Sequence, residues 1–345
     1  MQSAAAAARK DQAERKATAG QRKEHGGDRG AMTRARSAET SGPSQRAERD
    51  AMIGPSAEAA DATGGDESGS RTAYLVLDTE SIPDGQLLAE VRYPGENLDP
   101  HAAILRAQQE AREQGKSDFL PVSFHLPVAV CIARVAQDFS LQSLTQLDAP
   151  LFRPREITRQ FWRGYQRLRD PRSGLPSYQM PRLVTFNGLG FDIPLLELAA
   201  FRFGFSLEQH LLDRDRYRTS ILDLLDWLTN RRAYPLAGGL HLLARLLGLP
   251  GKMDITGDQV YQLYTQGRLQ DINDYCLCDT LDTYFIFLRT RVLTGEITPE
   301  QERLLHLQAS QFLQGQVSQF PVLEKYLHAW NPPALTPQLL PTASF

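Results

Sequence analysis

The sequence predicts an α/β fold, in which helices cover a mixed sheet, and three observations support this class. First, 41% of the 345 residues are hydrophobic, which is enough to form a sizeable core. Second, the apolar segment from Tyr74 to Asp78 has the composition of a short buried strand that ends in a carboxylate. Third, strand-like segments come first along the chain and helical patterns follow, as expected when helices pack over a sheet.

The other elements follow from the spacing of apolar residues. Val, Ile and Cys predict a strand at 127–135 with a partner at 140–147, and a further strand is predicted at 182–186. Helical spacing predicts helices at about 102–113, 157–168, 192–203, 240–247 and 272–293. The same spacing recurs at 299–330, where we expect helices that pack back on the domain.

Composition sets the expected limits of the folded region. Residues 1–70 are mainly Ala, Gly, Ser and charged side chains, which cannot offset the entropy of folding, so we expect a disordered arm. On the simpler interpretation, this arm is a solvated spacer or a segment that precedes the true start codon. The alternative is that its charged residues make weak electrostatic contact with nucleic acid. The folded domain is placed at 71–331, with a helical C-terminal extension at about 297–331 and a Pro-rich tail at 332–345.

Several classes of protein are disfavoured by the composition. The formal net charge of −3 does not indicate a nucleic-acid binder, although charge alone does not decide what one cleft can hold. The three cysteines suggest neither a disulfide framework nor a zinc site. No apolar run has the roughly 18 to 20 residues that cross a bilayer, so we expect a soluble, cytoplasmic protein without a membrane partner.

The first candidate motif is a pair of acids at the end of the first predicted strand. Asp78 and Glu80 lie two positions apart, and such side chains point to the same face of an extended chain. Two converging carboxylates beside an apolar strand are costly unless a cation lies between them, and a divalent ion meets that need. The alternative is a strand end that turns outward into solvent.

The second motif, Phe186 to Asp192, joins a strand to a helix through a loop with two glycines. Glycine lets the backbone approach a ligand closely, and Asn187 offers both donors and an acceptor to a sugar or phosphate. Asp192 either caps the helix with its side chain or turns towards the first pair of acids. The segment by itself favours the cap.

The third motif lies on the long helix, where Tyr275 and Asp279 are four positions apart and therefore share one face. A phenol and a carboxylate are thus presented together. The alternative is a pair of solvent-facing side chains on an amphipathic helix.

The order of the three motifs is more specific than any one of them. The sequence resembles the DNA polymerase B-like predicted 3'-5' exonucleases, in the DEDDy branch of the exonuclease superfamily that is named for its four invariant acids. The residues that flank the motifs agree as well, at 77–84, 186–196, 246–254 and 274–284. The resemblance covers residues 73 to 331.

This resemblance implies a ribonuclease H-like, mixed five-stranded sheet flanked by helices and a centre with two divalent ions, Mg²⁺ or Mn²⁺. Asp78 would bridge both ions. Glu80 and Asp279 would help to hold the ion that activates water, and Asp192 would support the second ion. Tyr275 would orient the attacking water, and the products would be 5'-nucleoside monophosphates released from a 3' end.

Further residues are candidates for contact with nucleic acid, namely Thr79, Phe186, Asn187 and Lys252. An amide can bond a sugar, and a ring can stack on a base or pack in the core. Lys252 is either a phosphate ligand or an ordinary surface lysine. Asp223 is a further candidate near the acids, although a capping or ion-pair role is simpler, and Asp282 is expected outside the metal shell.

The expected partner is nucleic acid, with single-stranded DNA favoured over RNA. A ribonuclease that trims RNA 3' ends with the same centre is the main rival. A catalytically weak nucleic-acid-binding module is a second rival, and an interaction role led by residues 1–70 is a third.

Overall fold

The computed structural model describes residues 71–170, 172, 180–213 and 220–330, which all fall in one compact unit. They form a five-stranded mixed sheet flanked by helices, which confirms the predicted α/β class. The strands are β1 (Thr72–Pro83), β2 (His125–Ala136), β3 (Leu141–Gln146), β4 (Arg182–Thr185) and β5 (Ile221–Asp223). They are arranged in the order β3-β2-β1-β4-β5, with antiparallel pairing among the first three and parallel pairing of β4 with β1 and β5.

Eleven α-helices are present in the described residues. They are α1 (Gly85–Arg92), α2 (Pro100–Glu113), α3 (Pro154–Leu168), α4 (Asp192–Phe203), α5 (Glu208–Asp213), α6 (Leu224–Leu228), α7 (Gly239–Leu246), α8 (Val260–Thr265), α9 (Leu269–Leu293), α10 (Pro299–Gln316) and α11 (Val322–Ala329). The helices predicted from spacing are all found, and the region 299–330 forms α10 and α11. None of the described helices has both the length and the apolar character needed to cross a bilayer.

The central strand β1 separates two apolar layers. Leu75 and Leu77 are buried in the layer that contains α3 and α4, whereas Val76 is buried in the layer that contains α9. Because side chains alternate along a strand, Asp78 and Glu80 continue the row of Val76 and point to the α9 side. The strand period therefore assigns both acids to one face.

The pairing of β1 leaves room for other groups around these acids. β1 pairs with β2 along almost its whole length, but its pairing with β4 covers only Tyr74 to Val76. The acids thus lie where β1 has continued past the end of its parallel neighbour. Side chains from the loop after β4 can approach β1 at this open edge.

Helix α9 is fastened to the sheet directly beneath the acids. The Cys276 thiol donates to the backbone oxygen of Asp78 at 3.2 Å, and the Cys131 thiol donates to the backbone oxygen of Asn273 at 3.4 Å. The Asn273 side chain in turn donates to the oxygen of Val128. These bonds fix the rotation of α9, so that the residues preceding and following Cys276 on the helix are held in a defined position.

The region 84–120 is more ordered than its polar composition suggests. It contains α1 in addition to the predicted α2, and Leu88, Ile104 and Leu120 are buried in a small core of their own. The predicted arm (1–70) and tail (332–345) lie outside the described residues. The three cysteines are free and buried.

Candidate active site

Three acids from two elements meet at the open edge of β1. One carboxylate oxygen from each of Asp78, Glu80 and Asp279 lies within 4.8 Å of the other two, in an arrangement that could hold a metal ion. The first two come from one face of β1, and the third is carried in by α9. All three residues are half-buried. The structure therefore brings together acids that are about 200 positions apart in the sequence.

The cluster is electrostatically unfavourable when no cation balances it. Burial, followed by repulsion from neighbouring carboxylates, raises the pKa of Asp78 and of Glu80 well above the usual range. Burial raises the pKa of Asp279 to about 7, although the Tyr275 hydroxyl and the Lys252 ammonium oppose this shift. A cluster of buried carboxylates of this kind is stabilised when a positive charge binds to it.

The chemistry of the donors fits a hard divalent cation. Oδ2 of Asp78 is buried and has no hydrogen-bond partner in the described part of the chain. A buried carboxylate oxygen without a partner is costly, and a metal ion would satisfy it. All the converging groups are carboxylates, which suit Mg²⁺ or Mn²⁺ better than a thiophilic metal.

Asp192 lies behind the cluster. It is the first residue of α4 and is only 4% exposed, and its Oδ1 accepts a bond from the Thr79 hydroxyl at 2.6 Å. No side chain caps α4, so the capping interpretation of Asp192 is wrong. Burial raises the pKa of Asp192 to about 7, and the charge of Asp192 raises the pKa of Asp78 and Glu80. Asp192 thus borders the three-acid cluster.

Tyr275 is presented to the cluster as its spacing predicts. It lies one helical turn before Asp279 on α9, and its hydroxyl hydrogen-bonds to that carboxylate. Burial, aided by the charges of Asp279 and Glu80, raises the pKa of Tyr275. The side chain is therefore a neutral phenol that can donate or accept a hydrogen bond beside the acids.

The loop after β4 is shaped by Asp223, the last residue of β5. Its side chain is buried and accepts bonds from the backbone N–H groups of Asn187 at 2.9 Å and Leu189 at 3.0 Å. It also caps α6 by accepting from Leu225 N and Asp226 N. The capping role considered for Asp223 is confirmed. That Asp223 also binds the backbone of the loop after β4 was not predicted from the sequence. The position of a carboxylate at the end of a strand that neighbours β4 could have indicated this role.

Two further features fix this loop. Asn187 has a φ of 69°, and a Cβ on Gly188 would lie 2.3 Å from Oγ1 of Thr185, so no larger residue fits there. Arg232, which the sequence did not single out, donates to Oδ1 of Asn187 at 2.7 Å. The amide nitrogen of Asn187 is therefore oriented as a donor. Phe186 is half-buried and packs against the α9 side of the core.

Lys252 lies within electrostatic range of two acids of the cluster, Glu80 and Asp279. Its side chain is exposed, and its charge lowers the pKa of both Glu80 and Asp279. Its backbone N–H donates to Nδ1 of His241 on α7 at 2.9 Å. The preceding Gly251 has a φ of 58°, and a Cβ there would lie 2.4 Å from the same ring atom. The positioning role of His241 was not foreseen, because its partner lies in another element.

Two of the other candidates have structural roles. The Thr79 side chain is buried and its hydroxyl is used by Asp192. Asp282 is fully buried and its Oδ1 accepts from the Tyr326 hydroxyl on α11 at 2.7 Å, outside the three-acid cluster. That Asp282 is not a metal ligand stays a prediction.

Comparison with known proteins gives one family match. Residues 117–330 match the model of a family described as a predicted 3'-5' exonuclease related to the exonuclease domain of PolB. The matched residues include Asp192, Tyr275 and Asp279, whereas Asp78 and Glu80 precede them. No curated protein matches the chain.

Proposed function

The chain belongs to this family of predicted 3'-5' exonucleases related to the exonuclease domain of PolB, and on that premise we propose that it removes 5'-nucleoside monophosphates from the 3' end of single-stranded DNA with the help of two divalent ions. Membership implies a nucleic-acid substrate. The DNA preference, the number of ions and the DEDDy assignment are part of the proposal.

One observation carries it. Asp78, Glu80 and Asp279 converge to within 4.8 Å, and the buried Oδ2 of Asp78 has no partner among the described residues. Bound divalent ions would neutralise charge on the phosphate that is attacked and lower the pKa of the attacking water. Asp78, Glu80 and Asp279 would hold these ions, with Asp192 at the border of the cluster.

The other residues would position the substrate and the water. The Tyr275 hydroxyl, already bonded to Asp279, would orient the attacking water without acting as a strong base. The amide nitrogen of Asn187 would donate to the terminal sugar or phosphate, and the Lys252 ammonium would contact a phosphate. Thr79 would act mainly through Asp192.

The direct test is digestion of DNA and RNA strands of the same sequence, each labelled at its 5' end, with Mg²⁺ or Mn²⁺. A ladder of labelled strands that shortens one nucleotide at a time from the 3' end, with unlabelled mononucleotides detected by chromatography, supports the proposal. A strand with a blocked 3' end should resist. Faster digestion of RNA would reassign the enzyme as a ribonuclease. Binding without cleavage across all metals would leave only a nucleic-acid-binding module.

Replacing Tyr275 with phenylalanine is expected to lower kcat by about 100-fold or more, since a positioned proton-transfer group contributes about 100- to 10,000-fold. The substitution keeps the ring and its packing, so the affinity for Mg²⁺ should be retained. This affinity is measured from the metal-induced rise in Tm. The matched control is Tyr264→Phe, which makes the same change on α8. Equal kcat values for Tyr275→Phe and the wild type would remove the water-orienting role.

Replacing Lys252 with glutamine is expected to weaken binding of single strands equally for all base sequences. The slope of log affinity against log salt should become shallower by about 0.7, as expected when one phosphate contact is lost from a single strand. Lys252→Arg retains the charge and serves as the control. If the glutamine variant keeps the wild-type salt slope, Lys252 does not contact a phosphate.

A further inference from the structure

Three aromatic rings from three separate segments of the chain form a group. Phe119 lies 4.8 Å from the His125 ring and 5.5 Å from the Phe191 ring, measured between centroids, and the rings of His125 and Phe191 are 6.2 Å apart. These separations are those of rings in contact. We call Phe119, His125 and Phe191 the aromatic platform.

The platform is attached to two of the acid-bearing segments. Phe191 directly precedes Asp192 in the chain. Nδ1 of His125 is hydrogen-bonded to the Ser81 hydroxyl at 2.8 Å, and Ser81 directly follows Glu80. Each connection is therefore one residue away from an acid. The platform is thus linked to the two backbone segments that carry Glu80 and Asp192.

Phe119 is exposed although its backbone is anchored. Its side chain is 55% exposed, while the next residue, Leu120, is 2% exposed and belongs to the small core of α1 and α2. The turn Val122–Phe124 then packs against α4, and the oxygen of Phe124 accepts from Asp84 N at 2.7 Å. The Phe119 ring is thus held towards solvent on an ordered backbone. A ligand that binds to the ring therefore does not have to order residues 119–124 first.

The chemistry of this platform suits a nucleobase. Every base has a flat π-face, and stacking on aromatic side chains is the usual way in which proteins bind single strands without reading their sequence. Burial lowers the pKa of His125 to about 4, so the platform is uncharged at neutral pH. A protein partner would need roughly 800 Å² of surface on each side, far more than one exposed ring offers.

We propose that the aromatic platform, through the exposed face of Phe119, stacks on a nucleobase of the strand whose 3' end enters the acidic cluster. This inference rests on the proposed exonuclease function. It adds a contact from Phe119, which lies near the start of the family match and outside the segments that carry the acids. It also assigns a substrate-binding role to a residue that is far in sequence from the three motifs.

The test compares Phe119→Ala, Phe119→Tyr and Phe201→Ala. Phe201 is 88% exposed on α4, so its replacement is a control for the loss of an exposed ring. Binding of a fluorescent single-stranded oligonucleotide is measured by anisotropy in Ca²⁺, and kcat and KM are measured in Mg²⁺. Phe119→Ala should weaken binding and raise KM by about 5- to 20-fold, towards the lower end of the effect of removing a stacking ring.

The two comparison variants should behave differently from Phe119→Ala. Phe119→Tyr keeps the ring and Phe201→Ala changes an ordinary surface position, so both should stay within about twofold of the wild type. A second substrate series carries abasic residues near the 3' end. With the abasic residue at the stacked position, the wild type and Phe119→Ala should bind equally, because no base remains to stack.

The outcomes separate the two proposals. If the wild type cleaves from the 3' end while Phe119→Ala matches it in binding and KM, the platform inference fails and the exonuclease remains. If Phe119→Ala is weaker by the same factor on every abasic substrate, the ring does not stack on a base and the inference also fails. If the wild type neither binds nor cleaves nucleic acid, both proposals fall. A change in self-association with unchanged oligonucleotide binding would assign the ring to a protein contact.

Discussion

Replacing Asp78 with asparagine is expected to reduce the exonuclease kcat by about a thousandfold or more, because losing several kcal/mol of charge stabilisation corresponds to three or more powers of ten. At the same time, this substitution should raise the Tm of the metal-free protein. Asp78 carries the buried oxygen that has no partner in the described chain, and three neighbouring acids repel it. Asparagine removes that repulsion but also removes a metal ligand.

The opposite signs of these two effects make the prediction specific. In the absence of metal, we expect a rise in Tm of a few degrees, the shift that about 1 kcal/mol produces in a domain of this size. Saturating Mg²⁺ or Mn²⁺ should raise the Tm of the wild type by mass action and that of Asp78→Asn much less. Both quantities are read from thermal melts with and without EDTA.

Asp274→Asn is the matched control. Asp274 also lies on α9, next to Tyr275, but its Oδ1 accepts from the amides of Gln146 and Gln270, and asparagine can still accept these bonds. It should change kcat by no more than about twofold. If Asp78→Asn and Asp274→Asn lose activity equally, or if Asp78→Asn retains the full metal-induced rise in Tm, Asp78 is not a metal ligand.

Replacing Asp223 with alanine is expected to lower the free energy of unfolding by about 3 kcal/mol, because four part-buried donors lose their acceptor and leaving one donor without a partner costs about 1 kcal/mol at partial burial and up to about 3 kcal/mol at full burial. The donors are the backbone N–H groups of Asn187, Leu189, Leu225 and Asp226. The loss should also release the loop that presents Asn187. We therefore expect a higher KM in the protein that remains folded.

Urea denaturation measures the stability, and KM is measured at a temperature at which the variant is fully folded. Asp226→Ala is the control, because Asp226 lies on α6, the helix that Asp223 caps, and its side chain contacts Arg232 only at 3.5 Å. It should cost less than about 1 kcal/mol, the range of a weak surface ion pair. Equal losses of stability in the two variants would show that Asp223 does not hold the loop.

The local elements were predictable because each depends on a pattern within its own segment. The apolar run before Asp78 predicts a buried strand, and the helix at 272–293 is found as α9 (Leu269–Leu293). The separation of four positions between Tyr275 and Asp279 also predicts that they share a helical face. α1 was not predicted, because it has too few apolar residues to form a long amphipathic pattern. These residues are buried against α2 and Leu120 instead.

The interpretation of Asp192 as a cap shows where local reasoning fails. An acid at the start of a helix is a common cap, and the position of Asp192 at a helix start by itself favoured that interpretation over the metal-supporting role that the family resemblance implies. In the structure, the carboxylate turns to the Thr79 hydroxyl, 113 positions away. The partner that decides its orientation lies on β1, whereas Asp192 lies on α4, so the spacing of residues around Asp192 could not reveal that partner.

The sequence by itself determined the fold class, the positions of four of the five strands and of the longer helices, and the candidate acids, since periodicity and the order of the motifs are properties of the sequence alone. Tertiary structure decided which groups meet. The pairing of β4 with β1 ends before Asp78, which leaves the edge of β1 open at the acids. The hydrogen bond from the Cys276 thiol to the backbone of Asp78 sets the rotation of α9. Asp223, His241 and Phe119 acquire their roles through contacts between elements, and the energy of such contacts depends on distances that no local pattern contains.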